Sequence, residues 1–253
     1  MARVMRERSR SGIYHVIIRG INKQAIFDSD DDYMRFIFLL RAYKSKLNYS
    51  IYAYVLMDNH VHLLLREGDE DISNTMRRIE VSYATWFNWK YERSGHLFQD
   101  RFRSKVIESE GHLLSSLRYI HQNPVKAGLV GTAISYPWSS YSEYLGGEHL
   151  VDTQYVLGLF DDQRELAVEH FVDYNLSAGE DAFIETDARR KSMVDDVVKK
   201  QFHLKFEAEL ATLQTKETAL QKEMLTYLKS LEGVSLRQLS RLTGLTVNKI
   251  FRA

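Results

Sequence analysis

Two hydrophobic periods alternate along the first half of the chain. Ile13–Arg19 (IYHVIIR), Ser50–Met57 (SIYAYVLM), His60–Arg66 (HVHLLLR) and Arg101–Ile107 (RFRSKVI) are short runs rich in β-branched and aromatic residues, and each predicts a strand. Asp58-Asn59 is a turn signal between the second and third runs, so these form a hairpin. Between strands the spacing becomes helical. The acidic cluster Asp28–Asp32 suits a helix N-terminus, and Tyr33–Leu47 follows with helical apolar spacing. Ile72–Tyr91 places Ile72, Met76, Ile79, Tyr83 and Trp86 near one stripe, and Ser94-Gly95 ends it. Ser109–Gln122 predicts another helix, which Pro124 keeps from running on unbroken. The order is β-α-β-β-α-β-α. Its first six elements match a ferredoxin-like split βαβ arrangement, an α+β fold whose antiparallel sheet carries helices on one face.

The pattern changes after the aromatic segment Tyr136–Tyr144 (YPWSSYSEY) and Gly146-Gly147. Residues 152–253 contain no proline and few β-branched runs, and they predict an all-α region. Leu204–Leu231, rich in Leu, Lys, Glu and Ala, reads as one long helix. Ser235–Leu242 and Thr246–Arg252 read as two short helices around Thr243-Gly244-Leu245. That is the pattern of a helix-turn-helix in which Leu236, Leu239 and Leu242 pack inward and Thr246–Arg252 is the recognition helix. Such a pair either binds duplex DNA, here through Asn248, Lys249 and Arg252, or packs as a plain helical hairpin. The expected division is an α+β domain at 1–150, a helical linker region at 151–204 and a helical module at 205–253.

Composition narrows the possibilities. The 253 residues are 44% hydrophobic and 27% charged, as in an ordinary globular protein. No apolar run approaches the roughly 20 residues of a membrane helix, and the basic start lacks the apolar core of a secretory signal. No membrane partner is expected. Cysteine is absent, which excludes disulfides, thiolate metal sites and a cysteine nucleophile. A cytoplasmic location is expected. The formal net charge of zero argues against strong nonspecific DNA binding by the whole chain. The distribution is uneven, however. Residues 1–145 carry 20 Lys/Arg against 16 Asp/Glu, and residues 146–253 carry 14 against 18. Arg3, Arg6, Arg8, Arg10, Arg19 and Lys23 crowd the start of the chain with only Glu7 against them. This arm is either a solvated tail or a phosphate contact.

Two groups of residues suggest chemistry. In Asn59-His60-Val61-His62-Leu63, strand alternation points His60 and His62 to one side and Val61 to the core. Two residues span roughly 6.6 Å, a gap two imidazoles can close on one ion. The pair is either a metal site or a structural pair. Tyr119 and Asn123 stand one helical turn apart in RYIHQNPVKAGL. Tyr119 is either a core aromatic or a nucleophile assisted by a metal, and Asn123 either caps the helix or offers an oxygen to the same ion. Arg19, Arg101, Arg103, Lys105 and Lys126 are candidate phosphate contacts. Trp86, Trp89, Trp138 and Tyr141 are candidates for stacking on bases, with Trp86 expected in the core. His15, His96, His112 and His121 read as structural or solvated, with a supporting role open to His15 and His96.

Taken together in this order, five segments carry a resemblance. YHVIIRG (14–20), MDNHVHLLL (57–65), GHLFQDRF (95–102), YIHQNPVKAGLV (119–130) and PWSSY (137–141) resemble the single-tyrosine, His-hydrophobic-His (HUH) transposases of the IS200-like kind. They are most similar to the REP-associated tyrosine transposases. The resemblance spans about residues 10–145. It implies the HUH endonuclease fold, with His60 and His62 binding a divalent metal, Mg²⁺ or Mn²⁺, and Asn123 completing the site. It implies that Tyr119 attacks a phosphate of single-stranded or hairpin DNA and remains linked to it as a 5′-phosphotyrosine. Imidazole suits Mn²⁺ better than Mg²⁺. The C-terminal pattern resembles the DNA-binding module of the chromosomal replication initiator, and the expected assembly is a monomer or homodimer. Asp58 stands where proline is expected and Phe98 where tryptophan is common. Two other readings remain: a DNA-binding regulator built on a non-catalytic scaffold, and a relaxase or replication initiator. The intact set His60, His62, Tyr119 and Asn123 argues against the first, and the NPVKAGLV tail against the second.

Overall fold

The computed structural model describes residues 7–147, 150–177, 195–206, 208–231, 234, 236–246 and 249–250; Arg3 and Arg6 of the basic arm, and Asn248 and Arg252, lie outside them. The chain forms two compact units, Met1–Ala182 and Phe183–Ala253.

The first unit opens β1 (Ile13–Arg19), α1 (Asp30–Leu47), β2 (Ser50–Met57), β3 (His60–Arg66), α2 (Ile72–Lys90), β4 (Arg103–Ile107) and α3 (Glu110–Lys126). The strands pair antiparallel in the order β2-β3-β1-β4. Each helical crossover carries the chain past one strand position, which brings β3 and β1 together in the middle. The acidic cluster forms the first turn of α1, where Asp32 accepts from the backbone N–H of Asp28 and Ser29 at 2.7 and 3.0 Å. Asp71 and Ser109 cap α2 and α3 as N-cap residues, their side chains accepting from the backbone N–H of Asn74 and His112 at 2.9 and 3.2 Å.

The pairing register sorts the side chains into two faces. Arg19 lies opposite His60, Ile17 opposite His62 and Arg103, and His15 opposite Leu64 and Lys105. These share a face with Val55 and Met57, and α3 packs across it. Val16, Ile18, Val61, Leu63 and Leu65 fill the other face and are fully buried. Its cover is α1 and α2, side by side, with buried stripes that include Phe36, Leu40, Met76, Ile79 and Tyr83. Helices thus lie on both faces rather than one. The reason is legible in β2, where Ile51–Met57 is continuously buried, so a single layer of helices leaves half its apolar surface in water.

Pro124 does not end α3, which runs through it to Lys126. The proline sits in the last turn, where its missing N–H removes one bond, and Ala127 N–H donates to the Asn123 carbonyl at 2.9 Å beyond it. The PWSSY segment covers the edge of β2. Leu56 N–H donates to the Trp138 carbonyl at 2.9 Å, and Ser140 N–H donates to the Tyr54 carbonyl at 3.0 Å. Three helices follow: α4 (Tyr141–Tyr144), α5 (Thr153–Leu157) and α6 (Arg164–Leu176). Phe171 of α6 is fully buried, stacked on Tyr144 with ring centres 4.4 Å apart and edge-on to His121 of α3. The first unit therefore continues beyond residue 150.

In the second unit the single helix expected over Leu204–Leu231 is broken. It becomes α7 (Asp195–Phe206), a 3-10 segment (Leu210–Thr215) and α8 (Thr218–Ser230), followed by α9 (Leu236–Thr243). The break turns Leu210 and Leu213 into a core shared with Phe202, Leu225, Leu228 and Leu239. Thr212 and Thr215 hydroxyls donate to carbonyls three residues back at 2.7 and 2.8 Å, local bonds that compete with a continuous helix. Gly244 follows α9 at φ +70°, where a Cβ would collide with the Gln214 side chain. Helical residues resume at Lys249–Ile250, with Leu245 and Ile250 buried. No helix among the described residues is long and apolar enough to cross a membrane.

Candidate active site

Strand alternation sets His60 and His62 on one face of β3, with ring centres 5.0 Å apart and planes nearly perpendicular. Across that face, α3 brings the Tyr119 ring to 5.5 Å from the His62 ring. One turn further, the Asn123 side-chain nitrogen lies 3.4 Å from His62 Nε2. Two elements distant in sequence thus place all four predicted residues in one cluster. All are buried, His60 least so at 9% exposure.

Each of the paired histidines has its Nδ1 atom engaged. His60 Nδ1 lies 2.7 Å from Asn59 Oδ1, and His62 Nδ1 lies 3.0 Å from His15 Nε2. That leaves Nε2 of each ring for the interior of the cluster, where the Asn123 carboxamide contacts His62 and also acts on His60. Among the described residues no three His, Cys, Asp or Glu side chains form an ion-holding group. A divalent ion would therefore take two imidazole nitrogens and, after rotation of the carboxamide, the Asn123 oxygen, with water or phosphate completing its shell. Such a mixed nitrogen and oxygen set suits Mn²⁺ and is tolerable for Mg²⁺.

Burial dominates the electrostatics. It pushes His60 down to about 4, assisted by the Arg19 charge and opposed by Asn123. His62 lies well below the ordinary histidine range, through burial and then the neighbouring His15, His60 and Arg19. His15 is pushed to about 3 by burial, with Lys105 and His112 adding to it. All three rings are therefore neutral near pH 7, the form in which imidazole offers a lone pair.

The remaining predicted residues divide. Arg19, Arg103 and Lys105 stand on the face of the cluster, the last two exposed on edge strand β4. Lys126 is exposed, with its ammonium 5.4 Å from the centre of the Tyr119 ring. Arg101 is exposed in the bend before β4, and Lys249 is exposed in the second unit. Trp138 stacks on Tyr33 at 4.5 Å, and Tyr141 is buried, so Tyr141 offers no face to a base. Trp86 is half-buried beside the Arg35 and Lys90 cations rather than in the core, and Trp89 is 77% exposed. His96 is exposed, His112 is half-buried, and His121 is a core residue whose Nε2 lies 2.9 Å from Ser140 Oγ. His15, read as structural with a supporting role left open, and Asn59, given no role of its own, are the two further members of the cluster. The signal for His15 lies in the strand register, which no single segment displays.

Residues 9–123, a little under half of the chain, match the family model described as "Transposase IS200 like". The "Putative REP-associated tyrosine transposase" of Haemophilus influenzae is 25% identical over 56% of this chain and 86% of its own length. The REP-associated tyrosine transposase of Escherichia coli K12 is 30% identical over 37% of this chain and 54% of its own. A solved structure of a REP-associated tyrosine transposase bound to a REP hairpin superposes with a TM-score of 0.49 at 22% identity, covering 57% of this chain and 86% of that one. The segment that carries His60, His62, Tyr119 and Asn123 is thus similar in sequence to IS200-like and REP-associated tyrosine transposases.

Proposed function

We propose that the first unit cleaves and rejoins single-stranded DNA, with Tyr119 as nucleophile and His60, His62 and Asn123 holding a Mn²⁺ or Mg²⁺ ion. The observation that carries this reading is the convergence of these four residues in one buried cluster, inside the segment that matches the transposase family. When bound, the ion would polarise the scissile phosphate and stabilise the charge that builds on the leaving oxygen.

The Tyr119 oxygen attacks phosphorus, and the bond to the 3′-oxygen of the preceding nucleotide breaks. A 5′-phosphotyrosine and a free 3′-hydroxyl result. One phosphoester replaces another, so the hydroxyl can reverse the step and join a new strand without an energy source. A tyrosine hydroxyl is a weak nucleophile unaided, and the Lys126 ammonium stands 5.4 Å from the centre of the Tyr119 ring, placed to meet an incoming phosphate. The Tyr119 side chain is buried, so a phosphate reaches it only when its cover moves. Arg19, Arg103 and Lys105 would bind the flanking backbone. The substrate that follows from the family resemblance is a single strand carrying a hairpin.

For the second unit we infer duplex binding through the helix-turn-helix pattern of α9 and the segment that holds the exposed Lys249. Residues 1–182 alone should then lose the part of duplex affinity that falls with salt. Equal binding by both forms at every salt concentration makes the unit structural.

Hairpin strands labelled separately at each end, run on a denaturing gel after incubation with protein and Mn²⁺, test the chemistry. Wild type is expected to capture the 3′-side fragment covalently, and Tyr119→Phe to capture none while still binding Mn²⁺. An adduct formed by Tyr119→Phe, or one carrying the 5′-side fragment, sinks the mechanism. Strand binding with no adduct from any form leaves the regulator reading in its place.

A further inference from the structure

The function proposed above needs the two paired histidines in one particular proton arrangement. A neutral imidazole carries a single N–H, and only the other nitrogen can bind an ion. His62 turns Nε2 toward Asn123, and His60 has its Nδ1 engaged by Asn59; binding an ion through Nε2 requires each ring to carry its proton on Nδ1.

We propose that Asn59 and His15 are positioning residues that hold His60 and His62 in the Nδ1–H tautomer. The two arms differ in kind. Asn59 stands in the Asp58-Asn59 turn, and its amide is oriented from behind, since its Nδ2 lies 3.4 Å from the Lys23 carbonyl. That contact uses the nitrogen and leaves Oδ1, which accepts from His60 Nδ1–H at 2.7 Å. A carbonyl oxygen cannot donate, so the His60 proton is set on Nδ1 whatever occupies the other side.

The His62 arm is a pair of imidazoles, and its direction is open in principle. His15 Nε2 and His62 Nδ1 share one proton across 3.0 Å. If His15 donated, His62 would be protonated on Nε2 and unable to bind an ion there. The Asn123 side-chain nitrogen, 3.4 Å from His62 Nε2, decides the direction. A carboxamide nitrogen can only donate, so His62 Nε2 must hold a lone pair and Nδ1 the proton. His15 then accepts through Nε2 and carries its own proton on Nδ1. His15 is 1% exposed on the central strand β1 and also packs 5.8 Å from the Tyr119 ring. One side chain therefore touches both the proposed ligand and the proposed nucleophile. Such supporting bonds change metal affinity by about 10- to 100-fold in metalloproteins.

The consequence for metal rests on the proposed function, but the tautomer does not, and the test separates them. Long-range ¹H–¹⁵N spectra of the metal-free, DNA-free protein report which nitrogen of each ring is protonated. His60 and His62 are expected as Nδ1–H tautomers. His15→Leu should release His62 into a mixture, and His15→Gln, whose oxygen can still accept, should restore the Nδ1–H form. Calorimetry with Mn²⁺ alone should show affinity falling about 10- to 100-fold in His15→Leu and in Asn59→Ala, with His15→Gln near wild type. Asn59→Ala alters only a half-buried turn residue, so the idea stays testable if His15→Leu does not fold. A wild-type His62 protonated on Nε2, or Asn59→Ala binding Mn²⁺ as wild type does, overturns the proposal. Correct tautomers with no Mn²⁺ binding in any form would instead overturn the metal site.

Discussion

At the scale of single residues, burial decides how the cluster behaves with pH. An exposed histidine pair with ordinary values near 6.5 would lose roughly tenfold in metal affinity between pH 7.5 and 6.0, because protons compete for both rings. Here burial and the Arg19 charge push His60 to about 4 and His62 well below its usual range. Lowered values mean that proton competition begins only in more acid solution. Mn²⁺ affinity measured by calorimetry should therefore be constant within about twofold over that interval. A tenfold fall would show the rings to be solvated. Equal affinity in wild type and the His60→Ala/His62→Ala double variant would remove these two residues from the site altogether.

At the scale of elements, α3 is tied down along the side facing away from the sheet. His121 Nε2 lies 2.9 Å from Ser140 Oγ, and Gln122 Nε2 donates to the Asn175 carbonyl at 2.8 Å. Arg118 donates to Ser177 Oγ at 3.0 Å, with its guanidinium 4.4 Å from the centre of the Tyr174 ring. These anchors flank Tyr119 and belong to the same unit as His60 and His62. Lending the helix to a second copy would break all of them, so Tyr119 should serve its own chain. Mixing Tyr119→Phe with the His60→Ala/His62→Ala double variant is expected to form no covalent DNA adduct. A substantial adduct from the mixture means that sites are shared between chains. The same packing makes α6 part of the first unit. Phe171→Ala should destabilise the first unit by about 3–5 kcal/mol in urea unfolding, since the ring is fully buried against Tyr144 and His121.

At the scale of the whole molecule, the buried histidines link stability to acid. His15 and His121 are pushed to about 3 and His60 to about 4, each mainly by burial. The unfolded chain binds these protons near 6.5 while the folded chain resists them. Stability is complete above that pH and falls as pH drops toward the folded values, by about 1.4 kcal/mol per pH unit for each such histidine. The urea midpoint should therefore drop clearly between pH 7 and 5, and an unchanged midpoint would show that these rings already take up protons in the folded state. Truncation after residue 182 should preserve the unfolding of the first unit, whereas removal from residue 151 onward strips away α5 and α6 and should lower its stability.

Local pattern determined a good part of this protein. Strand alternation in IYHVIIR, SIYAYVLM and HVHLLLR, with helical spacing between them, specified the element order, the hairpin and the shared face of His60 and His62, because backbone geometry alone sets which neighbours point together. The one-turn separation of Tyr119 and Asn123 followed from the same geometry. Contacts between elements did not. The second helical layer followed from covering both faces of β2, and the passage of α3 through Pro124 from the few bonds that remain to be made beyond it. The break before α8 followed from the pull of Leu210 and Leu213 into a core, which outweighed helix propensity. His15 shows the limit most plainly. On its own strand it is one more buried position, and only the pairing of β1 beside β3 sets its ring against His62 and Tyr119. Side chains that act together across a sheet are brought into contact by hydrogen-bond register, which forms only when distant segments meet.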